Sequence, residues 1–97
     1  VVPPVIDSRD LAADPESILR QLCDRVGLDF HPSMLAWDPG PRDTDGIWAR
    51  HWYSSVQDST HFVPFKDHNR VVPAEKKHVY QACLPLYQHL HINRIRP

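Results

Sequence analysis

The sequence has little of several things, and each shortage closes off a class of protein. Only three glycines occur in 97 residues, and none falls in a G-x-x-x-x-G-K-[ST] or G-x-G-x-x-G run. The chain therefore carries no phosphate cradle of its own. Charge of one sign is missing as well: eleven Lys/Arg stand against twelve Asp/Glu, a formal net charge of -1. That balance argues against a nucleic-acid partner, whose binding surfaces are usually strongly basic. No uncharged apolar run approaches the roughly 18 residues of a membrane span, so no membrane role is expected. Val1–Ile6 is short and lacks a basic flank, which is unlike a signal sequence. Cysteine is scarce: Cys23 and Cys83 each lie within an apolar helical pattern. They are expected to be a pair of buried free thiols in a reducing, cytoplasmic setting.

Seven histidines are present, but none has a partner at H-x-x-x-H spacing and no C-x-x-C occurs. A metal site is not expected, and solvated histidines are the simpler reading. No G-x-S-x-G elbow exists, and neither cysteine is placed as a nucleophile, so no catalytic residue is assigned.

Ten prolines and nine aromatic residues are the excesses. Val1–Ile6 reads as a strand, with Pro3 and Pro4 deleting two backbone donors and confining it to an edge. The single methionine is Met34. Together with an opening apolar strand, this leads us to expect one segment, 1–97 without an internal boundary, belonging to a larger fold. Ser8-Arg9-Asp10-Leu11 is read as a turn. Asp14 as N-cap, Pro15 at the first helical position and Glu16 on the positive dipole end then predict a helix. Ile18, Leu19, Leu22, Cys23 and Val26 form its apolar stripe, and Gly27 ends it. Asp29–Trp37 is read as a short helical connection and Asp38–Gly46 as a loop. Helical spacing returns through Trp48, Trp52 and Val56. A last helix is expected from Pro73 to about His91, with Val79, Cys83, Leu86 and Leu90 on one face and Pro85 bending it. Ile92–Pro97 is read as a basic tail. The fold class expected of the chain is thus mainly α, with about three principal helices and one short N-terminal strand.

Trp37, Trp48, Trp52 and Tyr53 surround the Pro/Gly/Asp loop. Such aromatics ordinarily pin a long loop to a small core. In a ligand-facing reading, Arg42 is the group free to meet an anion.

In order along the chain, these segments resemble the C-terminal part of the P-loop sulfotransferase-like family. The resemblance rests on Ser8-Arg9-Asp10-Leu11, Asp14-Pro15-Glu16 and Val26-Gly27-Leu28. It continues through Met34-Leu35-x-Trp37, the run from Gly40-Pro41 to Ser59-Thr60, and Cys83-x-Pro85-x-Tyr87-x-x-Leu90. The later motifs are similar to a bacterial and marine subgroup, although His61 stands where that subgroup has glycine. The resemblance implies the C-terminal part of an α/β fold with a central parallel sheet. It also implies sulfuryl transfer in the parent from 3′-phosphoadenosine 5′-phosphosulfate to a hydroxyl or amine. The family's phosphosulfate cradle and catalytic base lie upstream of the matching motifs, so the 97 residues alone are expected to be inactive and to carry no cofactor. A family loop of the form R-K-G-x-x-G-D-W-K touches the 3′-phosphate, and laid on it Arg42, Gly46 and Trp48 match as cofactor-binding candidates. Asp43, Ile47 and Ala49 depart from that form, and acidic neighbours repel a phosphate. The partner expected is the remainder of the domain, or a second copy, through the N-terminal strand. A stand-alone helical interaction or scaffold module is the alternative.

Overall fold

The computed structural model describes residues 2–97. The best-formed local element is the helix whose boundary residues are most explicit in the sequence. Asp14 accepts a hydrogen bond from the Ser17 N–H at 3.2 Å, Pro15 occupies the first turn, and Gly27 closes the helix at φ 73°. Leu28 N–H returns to the Cys23 carbonyl at 2.9 Å, the six-to-one bond of a Schellman end. This helix, Pro15–Val26, is α2, because a helix precedes it. Ser8–Ala13, read from sequence as a turn, is a helix (α1). Asp7 caps it by accepting from Arg9 N–H at 2.9 Å.

The N-terminal strand is not formed among the described residues; Val1 lies outside them. The physical reason is lack of a partner, since Pro3 and Pro4 cannot donate and no neighbouring strand offers a ladder. What remains is an extended segment whose Val5 carbonyl accepts from Ile95 N–H at 2.9 Å. Among the described residues the structure is therefore helical without a strand, with five α-helices rather than three principal ones. The stretch expected to run through Trp48, Trp52 and Val56 breaks at Tyr53 into α3 (Ala49–Trp52) and α4 (Ser54–Asp58). A 3-10 turn at Pro32–Met34 supplies the short connection. A second, Ala74–Lys76, leads into α5 (Lys77–Ile92), which carries Pro85 inside it.

Burial is sparse. Ile18, Cys23, Ala49 and Ile95 are the buried apolar residues of the described chain. Ile95 is fully covered, so the segment read as a basic tail contributes part of the core. Cys23 meets the buried-thiol expectation and Cys83 does not: it is exposed on α5. Among the described residues only the segment around Asp7 reaches the apolar face of α5, at Tyr87, and Val79, Tyr80, Leu86, Tyr87 and Leu90 are all about half or more exposed. The Cα radius of gyration is 16.6 Å, against about 12.5 Å for a compact domain of this length. No helix among the described residues is long and apolar enough to cross a membrane.

Candidate functional site

The loop containing the sequence-selected residues is an excursion tied at its base. Ala36 and His61 form an isolated antiparallel bridge, and Trp37 N–H donates to the Thr60 carbonyl at 2.8 Å. Trp37 also donates from Nε1 to Ser59 Oγ at 3.0 Å and packs edge-on against Phe62, ring centres 5.3 Å apart. Trp37 thus does what the loop-pinning reading asks of an aromatic residue. Trp48 and Trp52 do not, being 66% and 73% exposed.

Within the excursion, Gly40 N–H donates to the Gln57 carbonyl at 2.6 Å, drawing the loop onto α4. Asp45 organises the turn: its Oδ2 accepts from Arg42 N–H at 2.7 Å and from Gln57 Nε2 at 3.4 Å. Asp45 N–H returns to the Arg42 carbonyl at 3.0 Å, and Gly46 follows at φ 79°. That positive φ is the conformational reason for glycine at this position.

A hollow of about 520 Å³ opens here, lined by Arg42, Asp43, Asp45, Gly46, Arg50 and Gln57 among others. Arg42 and Gly46 are brought together in it. Trp48 is adjacent in sequence but does not line it. Arg50, which no sequence motif marks, joins Arg42 as a second cation because α3 turns it back toward the loop. The Arg42 guanidinium donates to the Gly40 carbonyl from Nη1 at 2.6 Å and to the Asp38 carbonyl from Nη2. Each terminal nitrogen carries a second hydrogen, so these bonds orient the guanidinium without exhausting its donors. The arrangement fits contact with one anionic group through Arg42 and Arg50. It does not fit a phosphate cradle, since Asp45 takes the Arg42 backbone N–H and Asp43 shares the lining.

A second polar cluster joins the two ends of the chain. Asp7 Oδ2 accepts from the Tyr87 hydroxyl at 3.0 Å and lies 3.2 Å from His91 Nδ1. The Tyr87 and His91 rings stack with centres 5.4 Å apart. Three residues further along in each case, Arg94 Nε, just past the end of α5, meets Asp10 Oδ2 of α1 at 2.6 Å. Gln21 Nε2 donates to the Arg96 carbonyl at 2.7 Å. The backbone N–H of Arg9, followed by the Tyr87 and His91 contacts, holds the Asp7 carboxyl below its ordinary range against the opposing effect of burial. The same contact with Asp7 raises the Tyr87 phenol. Sequence reasoning missed this cluster, because its members lie at opposite ends of the chain and no local spacing links them. Among the described residues, no group of three His, Cys, Asp or Glu converges as a metal site.

Comparison with known proteins identifies the class to which the chain belongs. A family model described as a sulfotransferase domain matches residues 1–94, and the chain belongs to that family. Two curated Arabidopsis thaliana proteins are similar to it, named branched-chain-amino-acid aminotransferase-like protein 1 and protein 2. Protein 1 is 45% identical and protein 2 is 40% identical, each over 85 residues. The aligned part covers 88% of this chain and 15% of each relative, so the chain corresponds to a minor part of their length. No solved structure matches.

Proposed function

We propose that the chain is the wall-forming, C-terminal part of a sulfotransferase-like domain. Its parent transfers a sulfuryl group from 3′-phosphoadenosine 5′-phosphosulfate to a hydroxyl or amine. The family match over residues 1–94 carries this reading. The donor supplies the activated sulfuryl group; the residues of this chain supply contacts to it. Arg42 is assigned the anion contact, with Gly46 allowing the turn and Trp48 as an adjoining aromatic surface. Arg50, from the same hollow, adds a second positive charge.

The parent fold in this reading is a parallel-sheet P-loop α/β domain, with the extended segment before Asp7 meeting the remainder of that domain. The ordered motifs support membership of the bacterial and marine subgroup, and the two free thiols support a cytoplasmic setting. The aminotransferase-like names belong to relatives of which only 15% aligns here, and that activity is not carried over. The exposed apolar residues of α5 favour a second reading, a non-enzymatic helical interaction module.

Calorimetric titration of the chain with the donor, beside an assay for sulfated product, tests the primary reading. Weak binding that Arg42→Ala abolishes, with no product, is expected. Sulfuryl transfer by the 97 residues alone, or binding indifferent to Arg42→Ala, would overturn it.

A further inference from the structure

Asp43 and Asp45 both line the hollow that holds Arg42 and Arg50, but they are placed differently in it. Residues 42–45 form a turn closed from both sides. The Asp45 N–H donates to the Arg42 carbonyl at 3.0 Å, and Asp45 Oδ2 accepts from the Arg42 N–H at 2.7 Å. Asp43 sits at the corner of that turn and is exposed, whereas Asp45 is half-buried.

Asp45 also reaches α4. The same Oδ2 lies 3.4 Å from Gln57 Nε2, and the Gln57 carbonyl accepts from the Gly40 N–H at 2.6 Å. The segment 40–45 is thus fixed to α4 at both ends, at Gly40 by a main-chain bond and at Asp45 by a side chain. Between these ties stands Arg42, whose guanidinium donates to the Gly40 and Asp38 carbonyls. Arg50 enters from α3, which follows the turn closely: the Ala49 N–H is bonded to the Gly46 carbonyl at 3.3 Å. Asp45 therefore ties the Arg42 side of the hollow to the helices that bring in Arg50.

We propose that Asp45 is the positioning residue of the anion site. Its carboxylate fixes the Arg42 main chain so that Arg42 and Arg50 face one anionic group, while Asp43 contributes only repulsion. This rests on the hollow being the anion contact assigned above, but not on which anion it holds. Two opposing effects meet at Asp45. Its charge repels an incoming anion, but Arg42, Asp43 and Arg50 are exposed and the repulsion is screened. Its bond to the Arg42 N–H is charge-assisted, roughly twice as strong as a neutral one, and losing it frees the turn that carries the cation. The second effect wins, so deleting this acidic side chain weakens the anion site.

Three substitutions in the full chain separate the two effects. Asp45→Ala removes charge and acceptor together. Asp45→Asn removes the charge but keeps an oxygen that accepts from the Arg42 N–H. Asp43→Ala removes a neighbouring charge and leaves the Asp45 bonds in place. Each variant is titrated with 3′-phosphoadenosine 5′-phosphosulfate by calorimetry and with inorganic sulfate by amide NMR shifts. Asp45→Ala is expected to bind at least about fivefold more weakly than the parent chain. Asp45→Asn should bind within about twofold of the parent or more tightly, and Asp43→Ala more tightly. Hydrogen exchange at the Arg42 amide should quicken at least about tenfold in Asp45→Ala but not in Asp45→Asn. Circular dichroism checks that helix content is kept. Asp45→Ala binding as tightly as the parent, Asp45→Asn as weak as Asp45→Ala, or unchanged exchange at Arg42 would overturn the proposal. Sulfate binding with the expected pattern but no donor binding overturns the donor assignment and supports the positioning role. Donor binding lost in Arg42→Ala but unchanged in Asp45→Ala does the reverse, and a parent chain that binds neither anion overturns both.

Discussion

Replacing Ile95 by alanine tests whether the C-terminal segment belongs to the core. Ile95 is fully buried and its backbone N–H is bonded to the Val5 carbonyl, which the substitution leaves in place. The change therefore isolates the side chain. Losing its methyl and methylene groups costs about 0.8 kcal/mol for each, plus a cavity penalty, for a total of about 3 kcal/mol. Leu86→Ala removes a similar volume from α5, but Leu86 is 68% exposed, and a cost below about 0.5 kcal/mol is expected. Urea titrations followed by far-ultraviolet circular dichroism and by tryptophan emission compare the two variants with the parent chain. Ile95→Ala should shift the midpoint strongly downward or remove the cooperative transition, while Leu86→Ala stays near the parent. Equal shifts for the two would refute the placement of Ile95 in the core.

Three further outcomes follow from the local chemistry. Cys83 should react with an aromatic disulfide reagent at once and Cys23 only after denaturant is added, because Cys23 is 5% exposed and Cys83 lies open on α5. A single fast equivalent in native buffer checks this; two would contradict it. The depressed Asp7 carboxyl contributes stability that is fully present above the ordinary aspartate value of about 3.9 and lost as pH falls through its folded value. The raised Tyr87 phenol contributes below its ordinary value of about 10, and that contribution is lost as pH rises through its folded value. Asp7→Asn should flatten the acid limb of a stability–pH profile and Tyr87→Phe the alkaline limb. Asp14→Ala removes the α2 cap and should cost about 1 kcal/mol in thermal or urea unfolding.

How much of this could be read in advance depends on how local the cause is. The α2 boundaries were legible because Asp14, Pro15 and Gly27 act within one turn of where they sit. Pro85 inside α5 was legible for the same reason, as its neighbours keep helical spacing on both sides. The helix at Ser8–Ala13 was missed: six residues are too few to show a periodic stripe, and its cap is Asp7, in a segment read as strand. The strand itself depended on a partner that a single stretch of sequence cannot supply. Cys83 was misplaced because an apolar stripe records a tendency to be covered, and among the described residues Cys83 stays exposed. In the candidate site, Arg42 and Gly46 were found by motif and do share a hollow. Arg50 joins them only through the turn at α3, and the Asp7–Tyr87–His91 cluster only through closure of the two chain ends. Neither leaves a trace in residue spacing.

The assignment of Arg42 as the anion contact of a sulfotransferase wall is tested most directly by titrating 3′-phosphoadenosine 5′-phosphosulfate into the chain and into its Arg42→Ala variant. Salt-sensitive binding by the parent chain, absent in the variant and without sulfated product, is the result predicted. Identical heats for the two proteins, or product formed by the isolated 97 residues, would contradict it.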